Sequence, residues 1–450
     1  MDQIRGANKR LIYTLAALGF GMMFLSSAIK GVYQVYFADL ATHFGRGRAD
    51  FAWSGAIFVL ATGFMSPVVG ALSDRVGPLR TVATGAFIGG IALLAAASWH
   101  GTLFSFVLAY GIGGAFALAA MTYVPMGILV DRLFEQKNKG LAYAVVTNGT
   151  SVGFIVLSPL WIWLQPQLNW TSAFFAVGIV LAGPAAALVW FMARAADAAQ
   201  LGQRSKSSGD KPRVWRQVRG DSGLYVLAFG FFCCGATMAF IDVHLVPYWR
   251  DIGASRSEMG FSLSLLGVLE LISGIATGWL AIRMDKHLLL GAFYAVRSIA
   301  MWTLFSTSSG VPTLVFAALF GATYLGTVVL TSMYCFERYG VAIKGQVFGL
   351  LFMVHQLGAF ASVQLGAMAF DHYGSYQPAI MVLGALTMVA TVVSWFGLRA
   401  PAARAVQRSA LAAYASQAGA WPGTQRRIDP HDDREQLRWL VPPRHMLAFE

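Results

Sequence analysis

Ionisable and polar side chains stand where an otherwise apolar chain can least accommodate them: Lys30, Asp242, His244, Glu270, Arg297, Tyr324 and the pair His355-Gln356. A charge near the centre of a bilayer costs on the order of 3 kcal/mol or more, so each is a functional hypothesis by default. Lys30 offers a cation either to an internal cavity, where it would meet an anion, or to the membrane surface by snorkelling. A carboxyl in apolar surroundings holds its proton more tightly than one in water, so Glu270 suits loading and release of a proton near neutral pH. The plainer reading of Glu270 is a structural ion pair. Asp242 and His244 lie near the turn at Pro247, where structural hydrogen bonding and proton transfer are both open. Tyr123, Asn148, Tyr324, His355 and Gln356 bring hydrogen-bonding groups near midspan, either for a polar solute or as satisfied core residues. Arg297 reads as structural, paired with an acid on the preceding apolar run.

No paired catalytic constellation, metal-ligand spacing or phosphate-binding glycine loop appears. The three cysteines, two of them adjacent, give neither a disulfide framework nor a metal site. The expectation is a protein that is not an enzyme and carries no cofactor and no metal.

The elements that must hold these groups are long apolar runs. The chain has 450 residues, of which 57% are hydrophobic and only 12% charged, with a mean hydropathy of +0.59. A soluble protein needs about a quarter of its residues charged to cover its surface. Spans of about 20 residues, the length that crosses a bilayer, are expected near 11–40, 51–73, 80–99, 103–131, 140–164 and 172–193. Six more are expected near 223–249, 257–282, 287–308, 312–337, 344–368 and 376–398. The expected architecture is an all-α polytopic membrane protein with twelve transmembrane helices in two pseudo-symmetric six-helix bundles. These occupy residues 1–194 and 223–399, joined by a cytoplasmic linker at 195–222. A disordered cytoplasmic tail is expected over 400–450. The first span reads as a retained signal anchor, since no cleavage site follows it.

The loops that share a side with the first residues, together with the tail, carry 27 of the 33 Lys and Arg residues. The other side carries four, Arg46, Arg48, Arg250 and Arg256. By the positive-inside rule both termini are cytoplasmic. The net charge of +12 is then a topology signal and not a nucleic-acid footprint.

The halves look like copies. Gly70 and Gly278, Asp131-Arg132 and Glu337-Arg338, and Lys139-Gly140 and Lys344-Gly345 recur at nearly constant spacing. Between the second and third runs lies Gly70-Ala-Leu-Ser-Asp74-Arg75-Val-Gly77-Pro78-Leu-Arg80. Gly77 and Pro78 are turn formers. Gly70 allows a close helix approach, and Asp74 sits at the membrane edge beside Arg75 and Arg80.

That stretch resembles the G-x-x-x-D-R-x-G-x-x-R signature of the major facilitator superfamily. Further stretches resemble its bacterial monocarboxylate-transporter and oxalate/formate-antiporter branch over about residues 10–398. They are Phe44-Gly45 with Arg48 and Trp53, Gly140-Leu-Ala with Gly149-x-x-x-Gly153 and Pro159-Leu160, and Val243-His-Leu-Val-Pro247 with Asp251-Ile-Gly253. Gly153 is followed by Phe154, so the Gly-Pro pair of drug/proton antiporters is missing.

The resemblance implies secondary active transport of a small mono- or dicarboxylate with a proton, by alternating access. Lys30 lies within one position of a substrate-facing lysine of mammalian members. Glu270 matches the family's transported-proton aspartate, with His355 and Asp242 as further proton-coupling candidates. Tyr324 and His355 match cavity residues of bacterial members, and Tyr123, Asn148 and Gln356 join them as substrate-binding candidates. Gly274 stands where the family has a substrate-binding arginine, which disfavours ordinary lactate-type recognition. Gly70, Asp74, Arg75, Gly77 and Arg80 are expected to gate, with Asp74 accepting from the start of the eleventh span and pairing with Arg75 or Arg80. The implied partners are a small organic anion, a proton and the bilayer, with a monomer in a bacterial inner membrane. The rival readings are an exchanger or exporter of another solute, or a transporter-like receptor.

Overall fold

The computed structural model describes residues 2–99, 101–135, 139–199, 218–306 and 310–398. Among them are twelve helices long and apolar enough to cross a membrane. In chain order these are α1 (Lys9–His43), α2 (Arg48–Val76), α3 (Pro78–Ser98), α4 (Leu103–Leu133), α5 (Ala142–Leu164) and α6 (Trp170–Ala198). They continue as α7 (Ser222–Asp251), α8 (Arg256–Arg283), α9 (Lys286–Phe305), α10 (Val311–Cys335), α11 (Val347–Tyr373) and α12 (Gln377–Gly397). Each expected run is matched to within a few residues. Residues 200–217 of the expected linker and the whole 400–450 tail lie outside the described residues.

Local chemistry sets the helix ends. Gly77 turns the chain at φ 96°, a left-handed region open to glycine, and Pro78 then starts α3 where no N–H is needed. Thr102, Asn169 and Ser255 cap α4, α6 and α8 by accepting from backbone N–H groups. Asp221 caps α7, accepting from Gly223 N at 3.0 Å. It also binds the Arg338 guanidinium, and Tyr339 donates to it at 2.7 Å. Burial alone would raise the Asp221 pKa, but the hydrogen bonds from Arg338, Tyr339 and Gly223 bring it below the ordinary carboxylate value.

One expectation is corrected. A break between 337 and 344 was expected, yet helical backbone runs unbroken from Val311 to Tyr373, 63 residues. Straight, it would extend about 95 Å, three times the hydrocarbon thickness. Thr327 Oγ1 lies 3.2 Å from Cys234 Sγ, and the His355 carbonyl lies against neighbouring Gly235. The axis therefore reverses between α10 and α11 while helical hydrogen bonding persists. No proline stands there to remove an N–H.

Small residues carry the packing within each bundle, as they do where lipid gives helices no hydrophobic drive to associate. A Cβ on Gly153 of α5 would meet the Phe24 carbonyl of α1 at 2.5 Å. A Cβ on Gly358 of α11 would overlap the Phe232 carbonyl of α7 in the same way. The repeat is thus expressed as one close contact made twice. Between bundles, α1 meets α7, α2 meets α11 and α5 meets α8. One helix is broken near midspan, α4 at Thr122 (φ −116°, ψ −139°), and α5 is irregular at Asn148 in its first third.

Candidate functional site

Three of the midspan charges, Lys30, Asp242 and Glu270, gather where the bundles meet. Lys30 Nζ of α1 forms an ion pair with the Asp242 carboxylate of α7. The other Asp242 oxygen accepts from the Tyr324 hydroxyl of α10 at 3.0 Å. One turn further along α1, Gln34 Nε2 donates to the Ile241 carbonyl at 2.8 Å. The Lys30 side chain keeps 36% of its surface exposed, so an incoming group can reach it. Lys30 therefore neither snorkels nor stands free in a cavity. It ties one bundle to the other.

Glu270 of α8 is buried and accepts from the Ser151 hydroxyl of α5 at 2.9 Å. Asp242 and Lys30 are the charged groups whose fields reach it. Tyr123, at the break in α4, has its hydroxyl beside Thr150 and near Glu270 and Asp242. The residue as a whole is 45% exposed, while its hydroxyl is engaged with Thr150 beside the buried acid. Asn148 stands half-buried at the α5 kink. Lys30, Tyr123, Asp242, Glu270 and Tyr324 are thereby brought together from five helices, and Ser151 and Gln34 join them.

Other candidates are placed elsewhere. His355 packs on Phe231 and Phe352 inside its own bundle and bonds to the Gln356 amide oxygen at 3.1 Å. Gln356 Nε2 crosses to the Val59 carbonyl of α2 at 3.0 Å, a bundle-to-bundle tie. His244 donates from Nε2 to the Val363 carbonyl at 2.7 Å within a box of Phe37, Phe240 and Tyr376. Arg297 does not pair with an acid, contrary to expectation. It is fully buried, and its donors reach the Thr323 and Tyr324 carbonyls at 2.6 and 3.2 Å, Cys234 Sγ at 3.2 Å and the Thr237 hydroxyl at 3.4 Å. The reason is local. Two carbonyls and polar side chains of α10 and α7 already converge there, and every acid of α8 faces elsewhere.

The α2–α3 turn lies at the end of the molecule where α1 begins, here called the basic face. Arg80 pairs with Asp197 at the end of α6, at 2.7 Å, rather than with Asp74. Asp197 lies beside it in the folded bundle, though 117 positions away in sequence. An added Cβ on Gly70 would meet only Val124 of its own bundle, at 3.5 Å, among the described residues. The expected acceptance by Asp74 from free N–H groups at a helix start near Lys344-Gly345 is corrected, since helical backbone runs through those positions and no helix starts there.

Among the described residues, hydrogen bonds and ion pairs join the bundles from midspan to the opposite face. There the Asp371 carboxylate, at the end of α11, accepts from the first N–H groups of α2, Arg48 N at 2.8 Å and Ala49 N at 2.7 Å. A carboxylate is favoured at a helix N-terminus by both the orphan N–H groups and the dipole. Gly47 leaves room for it, since a Cβ there would overlap Asp371. The Arg48 side chain binds the Asp251 carboxylate through both terminal nitrogens, bonds to the Tyr376 hydroxyl at 3.0 Å and lies 3.6 Å over the Phe370 ring. Asp39 is shared between Gln165 Nε2, at 2.6 Å, and Arg250, at 3.2 and 3.5 Å. The opposite face is thus latched, and sequence reading had not found the latch.

The family model for the Major Facilitator Superfamily matches residues 19–362 and 227–428. The chain belongs to this superfamily. The uncharacterized MFS-type transporter YcxA of Bacillus subtilis is 28% identical over 381 residues, covering 83% of this chain and 90% of that protein. Monocarboxylate transporter 13 of Rattus norvegicus is 25% identical, covering 82% of this chain and 86% of its own. Monocarboxylate transporter 12 of Homo sapiens is 22% identical over 82% of this chain and 77% of its own. In fold, the chain is similar to a bacterial homolog of the human lysosomal transporter Spinster, crystallised inward-facing and unoccupied. The TM-score is 0.62 at 15% identity, over 86% of this chain and 95% of that one. This superfamily member is accordingly a multi-pass membrane transporter of a small molecule, and not an enzyme.

Proposed function

We propose that this protein moves a small organic anion, a mono- or dicarboxylate, together with a proton across a bacterial inner membrane. The observation that carries the reading is the Lys30–Asp242 pair, which joins the bundles beside a second buried acid. In this scheme a substrate carboxylate takes the place of Asp242 at Lys30. Bringing an anion alone would leave the desolvated site with excess negative charge, which is costly. A proton arriving on Asp242 or Glu270 restores neutrality, so anion and proton enter together. Tyr123, Asn148 and Tyr324 supply donors to the substrate's other oxygens. His355 and Gln356 stand apart from this cluster, and Gln356 serves there as a tie between the bundles. Monocarboxylate transporters among the relatives support the substrate class, and Gly274 in place of the family's arginine argues for an acid other than lactate.

With the basic face and both termini cytoplasmic, the latched face is periplasmic and this conformer is inward-facing. Asp74, Arg75, Gly77 and Arg80 then belong to the cytoplasmic gate, with Gly70 giving clearance when it closes. The protein works as a monomer, since each chain holds both bundles.

Uptake of labelled carboxylates into proteoliposomes tests the reading. An outside-acid gradient is expected to drive accumulation of at least one acid. Proton-independent countertransport would instead mark an exchanger, and binding without accumulation a receptor.

A further inference from the structure

Besides the central cluster, the latched face holds a cavity of about 670 Å³ bounded by both bundles. Tyr36 and Asp39 come from α1, Gln165 and Asn169 from the α5–α6 corner, and Arg250 and Arg256 from the α7–α8 corner. Its charge balance is uneven. Two guanidiniums face one carboxylate, and Asp39 is already held tightly by Gln165 at 2.6 Å. Its contacts to Arg250, at 3.2 and 3.5 Å, are long, and the Arg250 side chain keeps 34% of its surface exposed. The buried Arg48 clasp on the same face, 14% exposed, shows what a committed guanidinium looks like here.

Neighbouring acids do not compensate. Asp251 is taken by Arg48, and Glu258 binds the Gly310 N–H and the Thr313 hydroxyl. Arg256 is exposed and has no carboxylate within ion-pair distance among the described residues. The first turns of α6 and α8 open on the same space and add partial positive charge.

We propose that this cavity is a second, vestibular anion site, which holds a small carboxylate between Arg250 and Arg256 before the latched face opens. The bound carboxylate competes with Asp39 for Arg250. Asp39 and Arg250 belong to opposite bundles, so each binding event loosens one tie between them. Arrival of substrate thereby favours opening toward the side it comes from. The arms of a dicarboxylate can engage both guanidiniums at once, which favours that class over a monocarboxylate. The proposal rests on the organic-anion reading of the substrate.

The test uses the full chain in proteoliposomes with Ala254→Cys as reporter, since Ala254 lines the cavity and the native Cys233, Cys234 and Cys335 are buried. Its alkylation by a membrane-impermeant thiol reagent is followed with acetate, lactate, oxalate or succinate against chloride at equal ionic strength. At least one carboxylate is expected to slow labelling several-fold. That protection should vanish in Arg256→Gln and weaken in Arg250→Gln. It should appear at several-fold lower concentration in Asp39→Asn, and persist in Lys30→Gln, where the central site is disabled. Protection that survives Arg250→Gln and Arg256→Gln, or disappears in Lys30→Gln, overturns the vestibule. So does labelling insensitive to every acid while wild type still accumulates one of them, and then the transport reading stands. If no acid is either accumulated or bound, both readings fail.

Discussion

Lys30 and Arg297 are both cations at membrane depth, but they are housed differently. Lys30 stands on α1, partly exposed, and pairs with an acid of the other bundle. Arg297 is sealed inside one bundle, where backbone carbonyls, a thiol and hydroxyls accept its hydrogen bonds. Carbonyls of a helix move with that helix, so Arg297 keeps its partners when one bundle rocks against the other. In the proposed alternating-access cycle the Lys30–Asp242 pair cannot, because its members lie in different bundles. A charge that must change partner in every cycle can hand its place to a substrate, and a charge that never does can only hold a bundle together. The same rule sorts the acids. Glu270 and Asp371 reach across the bundle boundary, whereas Asp221 binds Arg338 within one bundle.

The largest effect is expected at Lys30. Truncating one partner of a desolvated charge pair costs about 2–5 kcal/mol. Lys30→Gln should therefore cut initial uptake about 30-fold or more while the protein still inserts and purifies. Near-normal uptake by that variant breaks the contrast outright. Arg297→Met should do the reverse. It removes the charged guanidinium's hydrogen bonds to the Thr323 and Tyr324 carbonyls, which Thr327 Oγ1 still reaches, at about 1.5–3 kcal/mol for each bond from a charged donor. The melting temperature in detergent should fall, while the folded molecules that remain still transport. Loss of transport with unchanged melting would place Arg297 in the transport path.

A smaller shift is expected at the latch. Asp371→Asn keeps the shape but removes the charge at the start of α2, a change of about 1 kcal/mol. That moves the two-state equilibrium roughly fivefold toward opening of the latched face. Asp74→Asn should move it the other way, since Asp74 ends α2 as Asp371 ends α11. Cysteine labelling from each side measures both, and shifts of the same sign would dissolve the pairing.

Asp221 gives the smallest and most local effect. Its pKa lies below the ordinary carboxylate value, so the stability it contributes is full above that range and is lost as pH falls through the lowered value. Asp221→Asn should lower melting at neutral pH and flatten the acid side of the stability profile. An unchanged acid limb would count against the role of this cap.

Hydropathy made the twelve spans legible, because lipid demands long apolar helices and little else. Gly153 stood out only within a family-like stretch, and its close packing against the Phe24 carbonyl became visible in the fold. The Lys30–Asp242 pair was not, since its members lie 212 positions apart and each alone has a plain explanation. Arg297 misled because sequence displays acids but not carbonyls, whose availability depends on where helices cross. Asp371 lies beyond the expected end of the eleventh span, and only the fold brings it to the start of α2. The helical continuity through the α10–α11 reversal was hidden, because glycines and charges suggest a break that helical backbone can bridge.

Anion and proton should move together through the Lys30–Asp242–Glu270 cluster, and lumenal pH measures this most directly. Proteoliposomes with a trapped pH indicator are given an external carboxylate that wild type accumulates. Wild type should acidify the lumen as the acid enters, with one proton for each substrate charge. Lys30→Gln should show neither flux, and Glu270→Gln should exchange substrate without moving protons. Accumulation by wild type with no change in lumenal pH, or full proton movement by Glu270→Gln, would contradict it.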